Sequence, residues 1–249
     1  MARRYVEAGS RIILTNTFGA NPIALEKHGL AERAAEINRA GARLSRQAAE
    51  GRALVFASIG PTGKLLLMGE VSAEAVRRAY EVQAQALAEG GADGLVIETM
   101  ADLAEARVAL QAAQSTGLPV VACMSFDSGP AGMHTMMGVS ADQAARALTE
   151  SGADVIGANC GDGIEGIAAI CRALRAASPL PVWIKGNAGM PRLEGDRTVY
   201  DMTPEAYAAH VPRLIAAGAA FIGGCCGTNA EFIARVGAAC AGTRDRAAV

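Results

Sequence analysis

The sequence is short of aromatic residues, of any charge excess and of long apolar runs, and each shortage removes a class of function. Aromatics make up 4% of the 249 residues while Ala and Gly are abundant, a balance that suits small-residue helices laid tightly on a parallel sheet. The formal net charge is only −2, so there is no electrostatic footprint for nucleic acid or for an anionic membrane surface. No apolar run approaches the roughly 18 residues that a membrane-spanning helix needs. The opening Met1-Ala2-Arg3-Arg4 is basic, but Tyr5-Val6-Glu7-Ala8-Gly9 follows it in place of a signal-peptide apolar region. Six cysteines in a chain of this size are too sparse for a disulfide framework. A cytoplasmic protein with thiols available for metal or catalysis is the expectation.

What is present is a repeating alternation. Short apolar runs occur at Arg11–Thr15, Ala53–Ser58, Gly94–Glu98, Pro119–Ser125, Asp154–Asn159, Pro181–Lys185 and Ala220–Gly224. Continuous apolar runs fit strands buried on both faces, as parallel sheets require. Between them lie helical stretches. One places Leu30, Ala34, Ile37, Leu44 and Ala48 on roughly one face. Ser72 reads as an N-cap with Glu74 in the first turn, and Thr203-Pro204 as an N-cap followed by Pro at the first helical position. Gly-Ala-Asp precedes a strand at Gly91–Asp93 and Gly152–Asp154, with Gly218-Ala219-Ala220 as a relative, each reading as a helix end. With no linker between units, residues 1–249 read as one domain of alternating β and α, an arrangement that implies right-handed crossovers.

Regular alternation favours a (β/α)8 TIM-type barrel over an open doubly wound sheet, and no Gly-x-Gly-x-x-Gly turn follows the first run. Such a barrel needs one more strand than the runs supply. Arg3 to Ala8 read as a helix end leading into Arg11–Thr15, so the first strand is the one expected to be absent. Two unpaired sheet edges would follow, which a homo-oligomer could cover.

Active sites of such barrels form at the C-terminal ends of the strands. Cys160 directly follows one run, and Cys225-Cys226 directly follow another, flanked by Gly223, Gly224 and Gly227. Thiolates select zinc, and three protein ligands leave one tetrahedral position open for a substrate. Two other readings stand beside this one. Cysteines are often small buried hydrophobes, the expected role of Cys123, Cys171 and Cys240, and the three glycines could instead form a phosphate cup.

The segments Leu14-Thr15-Asn16-Thr17-Phe18-Gly19-Ala20-Asn21, Ile59-Gly60-Pro61-Thr62-Gly63, Ile97-Glu98-Thr99, Gly157-Ala158-Asn159-Cys160, Gly186-Asn187-Ala188-Gly189-Met190-Pro191 and Gly223-Gly224-Cys225-Cys226-Gly227-Thr228 occur in that order. Together they resemble the zinc-dependent homocysteine S-methyltransferase family, which includes the homocysteine domain of cobalamin-dependent methionine synthase and betaine–homocysteine methyltransferase. The resemblance implies that Cys160, Cys225 and Cys226 hold Zn2+ and bind the sulfur of homocysteine, which is methylated to methionine. It implies that Glu98 meets the amino group of homocysteine; the residue pattern alone also allows a solvated strand-end carboxylate beside a Lys or Arg. Asn16, Thr17 and Phe18 are expected to line the same pocket, and backbone N–H groups at Asn187, Ala188 and Gly189 to take the substrate carboxylate. Nothing in the chain reads as a corrinoid or folate domain, so the expected donor is methylcobalamin on a corrinoid partner protein. The Met-rich stretch of Met124, Met133, Met136 and Met137 reads either as a docking loop for it or as a mobile substrate loop. The family opens with a strand ending in an Asp-Gly turn whose acid joins the substrate pocket. This sequence has no counterpart, which implies that the segment lies upstream of Met1 or that a partner or altered packing completes the barrel. A non-catalytic zinc- or corrinoid-binding component is therefore an alternative, as is a phosphate-binding barrel enzyme.

Overall fold

The computed structural model describes residues 1–247. Helix α1 (Ala2–Glu7) leads into β1 (Ile12–Leu14), α2 (Pro22–Glu26) and α3 (Ala34–Ala49). There follow β2 (Leu54–Ile59), α4 (Ala73–Glu89), β3 (Gly94–Met100), α5 (Leu103–Gln114), β4 (Val120–Met124), α6 (Ala141–Glu150), β5 (Val155–Cys160), α7 (Ile167–Ala177) and β6 (Val182–Gly186). A hairpin of β7 (Arg192–Glu194) and β8 (Arg197–Val199), then α8 (Pro204–Ala208), α9 (Val211–Ala216), β9 (Ala219–Gly224) and α10 (Ala230–Ala247), complete the chain. Seven parallel strands form one sheet in the order β1-β2-β3-β4-β5-β6-β9. The seven expected runs match these strands to within one or two residues. The β7–β8 hairpin has no counterpart in the sequence reading, because both its strands are exposed and lack the apolar signature.

The sheet curls into an open barrel. Phe56 on β2 and Trp183 on β6 stack with ring centroids 6.1 Å apart and planes within 7°. In a flat sheet, strands four places apart would lie about 19 Å from each other, so these rings meet only because the sheet wraps round. The resulting fold is a TIM-type barrel short of one strand, with β1 and β9 at the edges.

Period-two alternation sorts each strand between two compartments. Val55, Ala57, Ile59, Leu95, Ile97, Val120, Ala122, Ile156, Ala158, Val182 and Ile184 are buried on the helix side or between strands. The other set packs inside the barrel, where Ile12, Leu14, Phe56, Val96, Val121, Cys123, Val155, Trp183 and Phe221 form one apolar cluster. Farther along the same faces, at Ser58, Glu98, Asn159, Lys185 and Cys225, the interior turns polar. The C-terminal mouth of the barrel is thus its chemical end.

Capping follows the expected residues. Ser72 accepts from the Ala75 N–H and Thr203 from the Ala206 N–H. At the Gly-Ala-Asp repeats, Gly91 and Gly152 adopt positive φ (93° and 84°), a conformation that favours glycine. The aspartates do more than end a turn: Asp93 accepts from the Val55 N–H at 2.7 Å, and Asp154 from the Val120 N–H at 2.8 Å. Each clamps the neighbouring strand where it begins.

The buried face of α3 differs from the expected one. Its inward residues are Ala34, Asn38, Ala42, Ser45 and Ala49, whereas Leu44 is 65% exposed. Close approach decides this. A Cβ on Gly90 would come within 2.6 Å of the Ala42 Cβ, so only small side chains fit between α3 and the end of α4. The polar members are satisfied: Asn38 donates to the carbonyls of Ala20 and Ala34. Cys123 and Cys171 are buried, as expected of small hydrophobes, and Cys240 is half-buried. Met124 lies buried in β4 rather than in the loop beyond it, while Met136 is 72% exposed. Among the described residues no helix is long and apolar enough to cross a membrane.

Candidate metal centre

Cys160 is the last residue of β5, and Cys225 and Cys226 follow β9. Because β6 lies between β5 and β9, the three thiols reach one spot only by bending over it. Two backbone features produce the bend. Cys160 takes φ 65°, a left-handed conformation that non-glycine residues adopt rarely and at a cost. On the other side, Cys225 N–H donates to the Gly186 carbonyl at 2.8 Å, and Ala188 N–H to the Cys226 carbonyl at 2.9 Å. The turn after β9 is thereby fastened to the turn after β6. The three sulfurs lie within 4.8 Å of one another, the one such group of His, Cys, Asp or Glu ligand atoms among the described residues.

Two asparagines hold the sulfurs. Asn187 Nδ2 donates to Cys160 Sγ (3.5 Å) and to the Gly161 carbonyl (2.8 Å), while its Oδ1 accepts from the Cys226 N–H (3.1 Å). Asn159 Nδ2 donates to Cys225 Sγ (3.7 Å) and to Thr99 Oγ1 (2.7 Å). Small residues make the space: a Cβ on Gly224 would lie 2.3 Å from Thr228 Oγ1, and one on Gly227 2.3 Å from the Tyr200 ring. Cys160 and Cys225 are half-buried and Cys226 is exposed, so the group faces the mouth. The Cys225 thiol, donating to Cys160, outweighs burial and with Asn187 holds the Cys160 thiol down at about 7. That same donation and burial push Cys225 up, and burial with the charge at Cys225 pushes Cys226 up. Three thiols whose sulfurs lie within 4.8 Å of one another suit one soft divalent cation, which would replace their protons. The donor set fits zinc.

The other expected residues fall in several places. Glu98 is buried, accepts from the Ser58 hydroxyl, and is ion-paired with Lys185, which is also buried. Thr17 is buried and faces away from the thiols: its hydroxyl donates to the Ser58 carbonyl at 2.8 Å, and its methyl lies against Gly41 of α3. Phe18 is 42% exposed at the rim, its ring lying over Gly60, and Asn16 is exposed beside it. Asn187 is committed to the cysteine turns by both ends of its amide, and the Ala188 N–H is taken by Cys226. Gly189, at φ 86°, ends that turn. Sequence reasoning missed Asn159, Thr99, Tyr200 and Lys185. For Lys185 a signal existed: a cation at the end of a run otherwise buried on both faces is costly unless it is paired.

The homocysteine S-methyltransferase family matches residues 1–240. The chain is 31% identical over 256 aligned positions to methionine synthase of Mycobacterium leprae, covering 98% of this chain and 21% of that protein. It is likewise 31% identical to methionine synthase of Mycobacterium tuberculosis, again covering 21% of the relative. The chain therefore spans about a fifth of the length of these curated relatives. Among solved structures it resembles the metallated form of the homocysteine methyltransferase MmuM from Escherichia coli. That match has a TM-score of 0.78 and 25% identity, over 95% of this chain and 82% of that one. A barrel of parallel strands, three clustered thiols at its mouth and a match over nearly the whole chain lead to one conclusion: this protein belongs to the homocysteine S-methyltransferase family.

Proposed function

We propose that this chain transfers a methyl group to the thiol of homocysteine, giving methionine, at a zinc ion held by Cys160, Cys225 and Cys226. The observation that carries the reading is the convergence of three sulfurs within 4.8 Å at the barrel mouth. Zinc bound there supplies a positive centre that keeps an acceptor thiol, whose ordinary pKa is about 8.5, as its thiolate at neutral pH. The chain's own residues do the rest. Asn159 and Asn187 fix the sulfurs through their amides. Glu98 stands as a carboxylate for the acceptor's ammonium group, and Phe18, Asn16 and Gly189 lie at the rim. In the transfer a sulfur–carbon bond forms as the bond from methyl to donor breaks.

The methyl donor in this reading is methylcobalamin on a corrinoid protein or domain, supported by the methionine synthase relatives, of which this chain matches about a fifth. The exposed Met136 beyond β4 offers an apolar contact for such a partner. The open edges at β1 and β9 support a neighbouring copy covering them. A phosphate cup gains no support, since Thr228 covers Gly224 and the Tyr200 ring covers Gly227.

Metal analysis of the purified protein tests the proposal. One zinc per chain is expected, lost in Cys225→Ala and in Cys226→Ala. Absence of zinc from the wild type, or full retention in both variants, overturns it. A homocysteine titration that leaves the metal coordination unchanged would instead favour a binding component without turnover.

A further inference from the structure

Among the described residues Lys185 is the only buried lysine or arginine, 7% exposed, and its ammonium meets the buried Glu98 inside the barrel. The two sit on β6 and β3, three strands apart, so their contact crosses the interior. Lys185 is paired in register with Gly223, two residues before Cys225, and its stem lies over that glycine, where a Cβ would stand 3.4 Å from the Lys185 Cγ. The pair therefore forms the layer of the interior next to the thiols. Stability does not demand it there. Desolvating two charges cancels most of their attraction, and well-packed apolar residues usually serve as well or better. Immediately below it, the same faces are lined by Val96 and Trp183.

An acceptor thiol that is an amino acid brings one ammonium and one carboxylate on the same carbon. Glu98 matches the first. For the second, the turn after β6 offers only part of the expected backbone cradle, because the Ala188 N–H is committed to Cys226 and the Asn187 side-chain amide to Cys226 and Gly161. A guanidinium or ammonium is the usual partner for a buried carboxylate, and the interior holds one.

We infer that Lys185 is a specificity-determining residue that receives the carboxylate of the acceptor thiol, so that the Lys185–Glu98 pair reads an amino-acid zwitterion. In the free protein the two charges satisfy each other; an entering zwitterion takes the place of each partner for the other. The inference rests on the homocysteine reading above and adds the residue that discriminates among thiols.

The test is calorimetric titration of the zinc-loaded protein with homocysteine, with 3-aminopropane-1-thiol, which lacks the carboxylate, and with 4-mercaptobutanoate, which lacks the ammonium. Wild type is expected to bind homocysteine at least about tenfold more tightly than either, as a site with buried charged partners rejects analogues that leave them unpaired. Lys185→Gln is expected to abolish the preference over 3-aminopropane-1-thiol, and Lys185→Arg to retain it. If Lys185→Gln does not fold, the pairwise replacement Lys185→Met with Glu98→Gln removes both charges and is expected to lose both preferences. Equal binding of homocysteine and 3-aminopropane-1-thiol by wild type overturns the inference alone. So does a preference that survives loss of the Lys185 charge. Failure of wild type to bind any of the three thiols overturns the homocysteine reading together with it.

Discussion

Asn159 and Thr99 clasp each other across the ends of β5 and β3. The Thr99 N–H donates to Asn159 Oδ1 at 2.8 Å, and Asn159 Nδ2 donates back to Thr99 Oγ1 at 2.7 Å. Thr99 is left-handed at φ 61°, as is Cys160 next to Asn159 at φ 65°. Each such residue costs of order 1 kcal/mol or more and persists only where its surroundings enforce it. The clasp is that enforcement. It fixes the strand ends in the conformation that turns Cys160 toward Cys225, with the remaining hydrogen of the Asn159 amide directed at the Cys225 sulfur.

Asn159→Ala should therefore weaken metal binding without removing a ligand. Groups that orient metal ligands are typically worth 10–100-fold in affinity, and a loss of about that size is expected. Competition with a chromogenic chelator measures it. Unchanged affinity in a folded variant would show that the cysteine positions are set without the clasp.

Gly157 sits on β5 where the sheet admits no side chain. A Cβ there would lie 2.2 Å from the Trp183 carbonyl oxygen and 2.7 Å from Cys123 Sγ. Neither neighbour is the loose end of a flexible chain. Gly157→Ala should cost about 3 kcal/mol, the upper part of the range for overpacking, read from urea denaturation. A cost below about 0.5 kcal/mol would mean that β5 and β6 separate freely.

Asp93 gives a pH signature away from the thiols. Burial works against its charge, but Arg46 at 2.6 Å and the Val55 N–H more than offset this and hold the carboxyl below its ordinary value. A depressed folded pKa stabilises the protein above the unfolded value of about 3.9, and that contribution is lost as pH falls through the folded pKa. Asp93→Ala should cost about 1–2 kcal/mol at pH 7. Thermal denaturation should show the gap from wild type closing below about pH 4; a gap constant from pH 7 to pH 3 contradicts the assignment.

Breaking the interior ion pair should cost more than deleting it. Lys185→Met leaves Glu98 buried without its cation, a change that typically costs about 3–5 kcal/mol. Adding Glu98→Gln should recover most of the loss, and chemical denaturation of the three proteins gives the comparison. Equal stability of the single and double variants would mean that Glu98 reaches water or another donor once Lys185 is gone.

Much of this was written along the chain in a local code. The seven strands are legible because each is a short apolar run, buried on both faces in β4 and β6 and half-buried in the edge strands β1 and β9, and strand positions fix which residues stand at the C-terminal rim. That was enough to bring Cys160, Cys225 and Cys226 into question together. Helix starts at Ser72 and Thr203 were legible for the same reason, since a cap is made within four residues. Contacts between strands were not. Nothing local says that Lys185 will meet Glu98, residues 87 positions apart, or that Leu44 will be turned to solvent by the approach of Gly90 to Ala42. Glu98 was legible as a strand-end carboxylate, but its partner was set by the curl of the sheet, which carries β3 and β6 to opposite sides of one narrow interior. The sequence alone determined which side chains could do chemistry and at which end of the barrel they stand. Only the tertiary structure decided which of them share a proton or a charge, because such pairings depend on distances across the interior that no spacing along the chain encodes.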